Sequence, residues 1–161
     1  MSKIEARLVE LGFKLPPAVK PPPGVVLPFR FVHVLGNRAL ISGHSPQATD
    51  GSVAGPYGKL GRELTVEQGY EAARLTALSM LGSLQRELGN LDRVTNWVRV
   101  FGMVNSAPDF IRQPAVINGC SDLILQLWGE DAGAHARSAV GMAELPFDIP
   151  VEVEAEVEIR P

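Results

Sequence analysis

Residues 150–161 read PVEVEAEVEIRP. Val151, Val153, Ala155 and Val157 alternate with Glu152, Glu154, Glu156 and Glu158. Strand side chains point alternately to opposite faces, so this is a β-strand with one apolar face and one face of carboxylates. Neighbours on that face sit about 6.8 Å apart at ~3.4 Å per residue. Each adjacent pair repels by about 0.6 kcal/mol in water, and by about 2.4 kcal/mol at an effective dielectric near 20. A face open to water tolerates this, whereas a closed one needs cations. The strand therefore presents either a solvated face that keeps it soluble, or a face that places at least one glutamate in a polar cavity beside an arginine.

Working back from this strand, HARSAVGMAEL (135–145) reads as another strand, joined to it by PFDI (146–149). LDRVTNWVRVFGMVN (91–105) is a long strand, apolar on both faces except at Arg99. Between these two, a helix begins near Pro114, tolerated in a first turn, and runs through Ile117, Cys120, Ile124 and Leu127 to Gly129. TVEQGYEAARLTALSMLGSLQRELG (65–89) opens with Thr65 and Gln68 in capping-box spacing and ends at Gly89. Its apolar face runs through Val66, Tyr70, Ala73, Ala77, Leu81, Leu84 and Leu88. FRFVHVLGNRALISG (29–43) is a hairpin around Gly36-Asn37. The order hairpin, helix, strand, helix, strand, strand predicts an α+β layer with two main helices on one face of a mixed sheet. The uncovered face must then meet solvent or another subunit.

Residues 1–28 form an N-terminal extension to a single domain over 29–161. Ile4, Leu8 and Leu11 predict a short helix ended by Gly12, read as an appendage, and KLPPAVKPPPGVVLP (14–28) predicts an extended, polyproline-like path. Residues 43–64 are rich in Gly, Ser and Pro and predict a long loop with one short strand. Long loops in compact domains are often functional.

Composition bounds the function. A chain of 161 residues, 45% hydrophobic, buries one core. A net charge of -3 argues against a basic surface that holds nucleic acid. The single Cys120 forms no internal disulfide and offers no metal-binding spacing. No apolar run reaches the length of a membrane span, and the charged, amphipathic start is unlike a signal peptide. The expectation is a cytoplasmic protein with no metal, cofactor, membrane or nucleic-acid partner.

Arg137 stands in a small, apolar strand and must find an anion, because an isolated buried charge costs several kcal/mol. The anion is either a terminal glutamate, in a structural ion pair, or a substrate carboxylate held in a bidentate clamp. Small neighbours at Ala136, Ser138, Ala139 and Gly141 leave room for a ligand. Ser42, Gly43 and His44 stand where a strand enters the long loop, and Asn118 stands on the second helix. Taken singly, such residues usually just turn or cap the chain.

The run HARSAVGMAELPFDIPVEVEAEV, with LISG and VINGCSDL upstream and the helix TVEQGYEAARLTALSML, resembles the reactive-intermediate deaminase family (Rid, YjgF-like, also labelled endoribonuclease L-PSP). The resemblance spans about residues 30–160. It implies a chorismate-mutase-like fold and a homotrimer whose sheets close into a central barrel, with ligand clefts between subunits. It implies that Arg137 binds the carboxylate of a small imino or enamino acid and that Glu152 positions or activates the attacking water. Ser42, Gly43, Asn118 and Ala139 are implied ligand contacts, and Arg99 is an attractive neutralising partner for the remaining glutamates. The chain departs from the family pattern at Ala139, where the better-known members often carry cysteine, and at His135, where a small residue or proline is usual. The tyrosine often found near the first strand has no clear match around Phe29 to Phe31.

Two other functions are carried beside imine hydrolysis. One is a binding module in which the same clefts sense a small carboxylate without turnover. The other is the ribonuclease of the older label, which the sequence favours less: metal-free RNA cleavage commonly uses histidines beside a phosphate-binding patch, and His33, His44 and His135 lie far apart in an acidic chain. A histidine in an apolar strand such as His33 is read as structural.

Overall fold

The computed structural model describes residues 2–21 and 23–160. Its elements follow the predicted order: α1 (Lys3–Glu10), β1 (Val32–Leu35), β2 (Arg38–His44), α2 (Val66–Leu88), β3 (Val94–Asn105), α3 (Gln113–Gly133), β4 (Ala136–Met142) and β5 (Val151–Ile159). The five strands form one sheet in the order β1-β2-β5-β3-β4. Every pairing is antiparallel except β3 with β4, which the α3 crossover makes parallel. The glutamate-bearing strand β5 is therefore central, and the arginine-bearing strand β4 lies at an edge.

Local chemistry explains the boundaries. Thr65 and Gln68 complete the expected capping box of α2, and Gly89 ends that helix in the left-handed conformation at φ 75°. Gly36 takes φ 61° in the two-residue turn between β1 and β2. Gly129 departs from helical geometry at φ 73°, as a terminating glycine does, but α3 resumes beyond it and reaches Gly133. The long loop after β2 holds isolated bridges, such as Gln47 with Val53, in place of the expected short strand.

Both main helices cover one face. Val151, Val153, Val157 and Ile159 of β5 and Val100 and Val104 of β3 are buried there against residues such as Leu81, Leu84, Ile117 and Ile124. The two helices approach closely: a Cβ at Gly119 would lie 1.9 Å from the carbonyl oxygen of Tyr70. The N-terminal helix is tied to this body. Leu8 joins the core, and the backbone amides of Lys3 and Ile4 each donate to the Asp92 carboxylate at 2.9 Å. Among the described residues no helix is long and apolar enough to cross a membrane.

The opposite face, with the glutamates, is uncovered. Arg38 on β2, not Arg99, makes the ion pair with Glu156, at 2.6 Å. Glu158 accepts a hydrogen bond from Asn96 at 3.0 Å. Arg99 stands opposite Glu156 in register, but its guanidinium lies over the Phe101 ring, 5.9 Å from the centroid. Side-chain reach decides this, because the flexible arginine finds an aromatic face on its own strand. His33 is exposed on β1 and is not packed into the core.

The contact at Gly119 makes a prediction. Its obstacle is backbone, which cannot rotate aside, so Gly119→Ala is expected to cost about 3 kcal/mol by forcing α2 and α3 apart. Urea unfolding of variant and wild type measures this, and an unchanged midpoint would refute the tight crossing.

Candidate functional site

Arg137 pairs in register with Val100, which is fully buried under the helices, so the arginine leaves β4 on the helix side of the sheet. Its Nη1 donates to Asn118 Oδ1 at 2.9 Å and to Ser121 Oγ at 3.1 Å. Asn118 and Ser121 stand three positions apart, on one face of α3. Ser121 also lies 2.9 Å from Nε2 of His135, whose Nδ1 lies 2.7 Å from the Gly133 carbonyl. A carbonyl only accepts, so Nδ1 carries the proton and Nε2 accepts from the Ser121 hydroxyl. A directed chain results: Arg137 donates to Ser121, Ser121 to His135, and His135 to the backbone. Burial first, and then the Arg137 charge, hold the His135 pKa below its usual value, which keeps the ring in the neutral form this chain requires.

Arg137 makes no ion pair with a terminal glutamate, because those glutamates stand on the other face of the sheet. The ion pairs among the described residues leave it out altogether. Its Nε and Nη2 make no hydrogen bond to any described residue. Ala139, two residues on, shares the helix-side face opposite Gly102 and is half-buried. Cys120 lies near this cluster but is fully enclosed, and burial pushes its thiol up to about 12, so it is inert.

The second cluster forms where β5 meets β2. Glu152 is half-buried, and its carboxylate lies against the bare backbone of Gly43, where a Cβ would stand 2.0 Å from Oε1. Burial, and secondarily the charge of Glu154, raise its pKa above the ordinary carboxylate value. Ser42 is committed elsewhere: its hydroxyl donates to the Arg30 carbonyl at 2.7 Å and pins the segment before β1. His44 repeats the arrangement seen at His135. Its Nδ1 donates to the Ser42 carbonyl at 2.6 Å, and its Nε2 accepts from Ser83 Oγ at 2.9 Å. Arg86 in turn donates to Ser83. Burial lowers the His44 pKa to about 4, so this ring is a neutral structural group.

Glu152 and Gly43 border a cavity of about 770 Å³. The walls of this cavity are largely apolar, with Phe29, Phe31, Tyr57 and Phe147 supplying aromatic rings, and the lining cation is Lys20. The glutamates that share a cavity with an arginine, as the sequence led one to expect, are Glu154 and Glu156, which line a smaller hollow of about 260 Å³ with Arg99. The walls of the larger cavity come from segments far apart in sequence, with no shared period, so no sequence signal joins them. The sequence reading also passed over Ser121, although its spacing from Asn118 was a usable signal.

The two clusters do not meet within one chain. Arg137, Asn118 and Ala139 belong to the edge strand and α3, whereas Ser42, Gly43 and Glu152 belong to β2 and β5. Strand β3 lies between, and Arg137 and Glu152 leave the sheet on opposite faces.

A family model described as "YjgF/chorismate_mutase-like, putative endoribonuclease" matches residues 5–153. Protein TCP17 of Trypanosoma cruzi is 44% identical over 158 residues, which cover 98% of this chain and 95% of that protein. The crystal structure of Atu1372 from Agrobacterium tumefaciens, a protein of unknown function, superposes with a TM-score of 0.85 at 40% identity, covering 98% of this chain and 93% of that one. E. coli TdcF, solved with bound serine, shares the fold at a TM-score of 0.58 and 20% identity, over 89% of this chain and 98% of its own.

The desolvated Glu152 carboxylate has a thermodynamic consequence. Its pKa is higher folded than unfolded, so the folded chain holds the extra proton between the two values and stability falls as pH rises through that window. Glu152→Gln is therefore expected to melt at a higher temperature than wild type at pH 7. The difference should vanish below the unfolded-state value of about 4.3. Thermal melts at pH 4 and pH 7 check this; a glutamine variant no more stable at pH 7 would mean that the carboxylate is well solvated.

Proposed function

The chain belongs to the YjgF/chorismate mutase-like family, and from that premise we propose that it hydrolyses small imino or enamino acids to 2-oxo acids and ammonia. The observation that carries this reading is Arg137: a guanidinium fixed by Asn118 and Ser121, with no carboxylate partner among the described residues and with Nε and Nη2 unused. That free edge is the geometry for a bidentate hold on a substrate carboxylate.

The chemistry asks for little beyond orientation. An imine carbon is already electrophilic, and holding it beside a positioned water removes much of the entropic barrier. Glu152 takes a proton from the water as its oxygen adds to the carbon of the protonated imine, and passes that proton to the nitrogen. As the carbon–nitrogen bond breaks, the departing ammonia takes the remaining hydroxyl proton and leaves as ammonium, and the carbon is left as a carbonyl. A carboxyl with a raised pKa suits both steps better than an ordinary one near neutral pH. Gly43 makes the floor on which that carboxylate rests. No metal or organic cofactor enters this scheme.

Because Arg137 and Glu152 leave the sheet on opposite faces, the complete site takes Arg137 from one subunit and Glu152 from another. A homotrimer with the uncovered, carboxylate-bearing face turned inward accounts for that sharing. Exposed Leu40 and Val140 on that face give the contact an apolar component. The same separation also supports the alternative of a carboxylate-binding protein without turnover, in which Glu152 need not reach the ligand. Ribonuclease chemistry has less support from the histidines: His44 and His135 each have both ring nitrogens occupied within the fold, and His33 stands apart on β1.

Ammonia and 2-oxo acid release from freshly generated 2-iminopropanoate tests the proposal. Wild type is expected to accelerate release over the uncatalysed rate, and Arg137→Ala and Glu152→Gln to abolish the acceleration while the oligomer stays assembled. Gly43→Ala should also lose most activity with little loss of stability, since its methyl displaces only the mobile end of Glu152. Binding of pyruvate without acceleration by wild type would replace the enzyme reading with the binding one.

A further inference from the structure

An alanine-derived imine carries a single methyl group, whereas the hollow beside Glu152 holds about 770 Å³. That volume lies in the range of sites for ligands of drug size. Resting on the reading of the site given above, we propose that its substrates carry a bulky apolar side chain, aromatic or branched, which fills this cavity while the reacting carbon sits at Glu152.

The walls are built for a particular shape. Val25 and Leu27 come from the N-terminal extension, Phe29 follows directly on it, and Tyr57 and Phe147 come from two loops. Each part is anchored. Gln47 Nε2 donates to the Pro17 carbonyl at 2.8 Å, the Ser42 hydroxyl holds the Arg30 carbonyl, and Tyr57 donates to the Val53 carbonyl at 3.0 Å. The turn bearing Phe147 is held from both sides, by Gly58 donating to the Asp148 carbonyl at 2.8 Å and Asn105 Nδ2 donating to the Asp148 carboxylate at 3.1 Å. Phe147 and Asp148 both adopt positive φ, at 58° and 55°, a conformation that costs energy for residues other than glycine.

This framework leaves aromatic surface of the lining uncovered: Phe29, Tyr57 and Phe147 are 50%, 48% and 71% exposed. An apolar side chain entering the hollow removes that surface from water, and aromatic rings offer it edge or stacked contacts. Apolar wall outweighs polar wall there: of the polar groups that line the hollow, both ring nitrogens of His44 and the hydroxyl protons of Ser52 and Tyr57 are already engaged within the protein, which leaves Lys20 and Ser45, beside Glu152, to meet a polar group. The cavity is continuous with Glu152 and Gly43, which ties its occupant to the molecule that reacts there.

Two measurements on the full chain test this. Calorimetry compares pyruvate, 4-methyl-2-oxopentanoate and phenylpyruvate, and hydrolysis is followed for imines generated from alanine, leucine and phenylalanine by an amino-acid oxidase. The larger oxo acids are expected to bind about ten- to a hundredfold more tightly than pyruvate, the gain from burying one large apolar side chain. Imine hydrolysis should follow the same order. The double variant Tyr57→Ala/Phe147→Ala alters exposed side chains, and it should shrink the preference about tenfold without unfolding the chain. Equal affinity for pyruvate and phenylpyruvate, with Arg137-dependent hydrolysis of 2-iminopropanoate, would overturn the proposal and leave the catalytic reading standing. The predicted order of affinities with no imine accelerated would do the reverse.

Discussion

Strand β5 hydrogen-bonds to β2 on one side and β3 on the other, and its alternation of valine and glutamate allows helices to cover only one face of the sheet. A dry cover over the other face would have to neutralise a ladder of carboxylates, and Arg38 is the residue that pairs with one of them, Glu156. The apolar side therefore receives α2 and α3, and the carboxylate side stays open. Glu152 is a half-buried member of the ladder. It rests on Gly43 at the edge of a largely apolar hollow, and its proton affinity rises accordingly.

The arginine and histidine chemistry follows a second rule. A guanidinium, a serine hydroxyl, a neutral histidine and a backbone carbonyl are linked twice, as Arg137–Ser121–His135–Gly133 and as Arg86–Ser83–His44–Ser42. In each chain the carbonyl fixes the tautomer and the tautomer fixes the hydroxyl. The hydroxyl oxygen then accepts from the arginine. At Arg86 the result is structural, because that guanidinium also holds the Pro16 carbonyl and so the start of the proline-rich segment. At Arg137 the same construction holds one nitrogen of the fork and leaves Nε and Nη2 without a hydrogen bond among the described residues. His135, a departure from the family pattern when read in sequence, thus acts as a support for the residue on which the proposed chemistry rests.

Much of the fold was legible because its signals are local. The alternation at 151–158, the capping box at Thr65 and Gln68, and the Gly36-Asn37 turn each express backbone geometry within a few residues. Gly129 shows where such a signal stops: a glycine can break helical geometry without ending the helix, and what lies beyond decides. Arg99 lines a hollow with Glu154 and Glu156 yet makes no ion pair with either among the described residues, because strand register places an arginine opposite Glu156 without saying which way its long side chain turns.

The sequence by itself determined that this chain forms a two-faced mixed sheet under two helices, and it singled out Arg137 and Glu152 as residues needing a charged or polar explanation. Both conclusions rest on periodicity and on the cost of unpaired charge, which act residue by residue. Only the tertiary structure decided that these two side chains leave opposite faces, that Ser121 and His135 stand behind the arginine, and that aromatic residues from separate segments enclose a cavity at Glu152. Those facts depend on strand order and loop placement, which are set by contacts between residues distant in the chain and carry no period of their own.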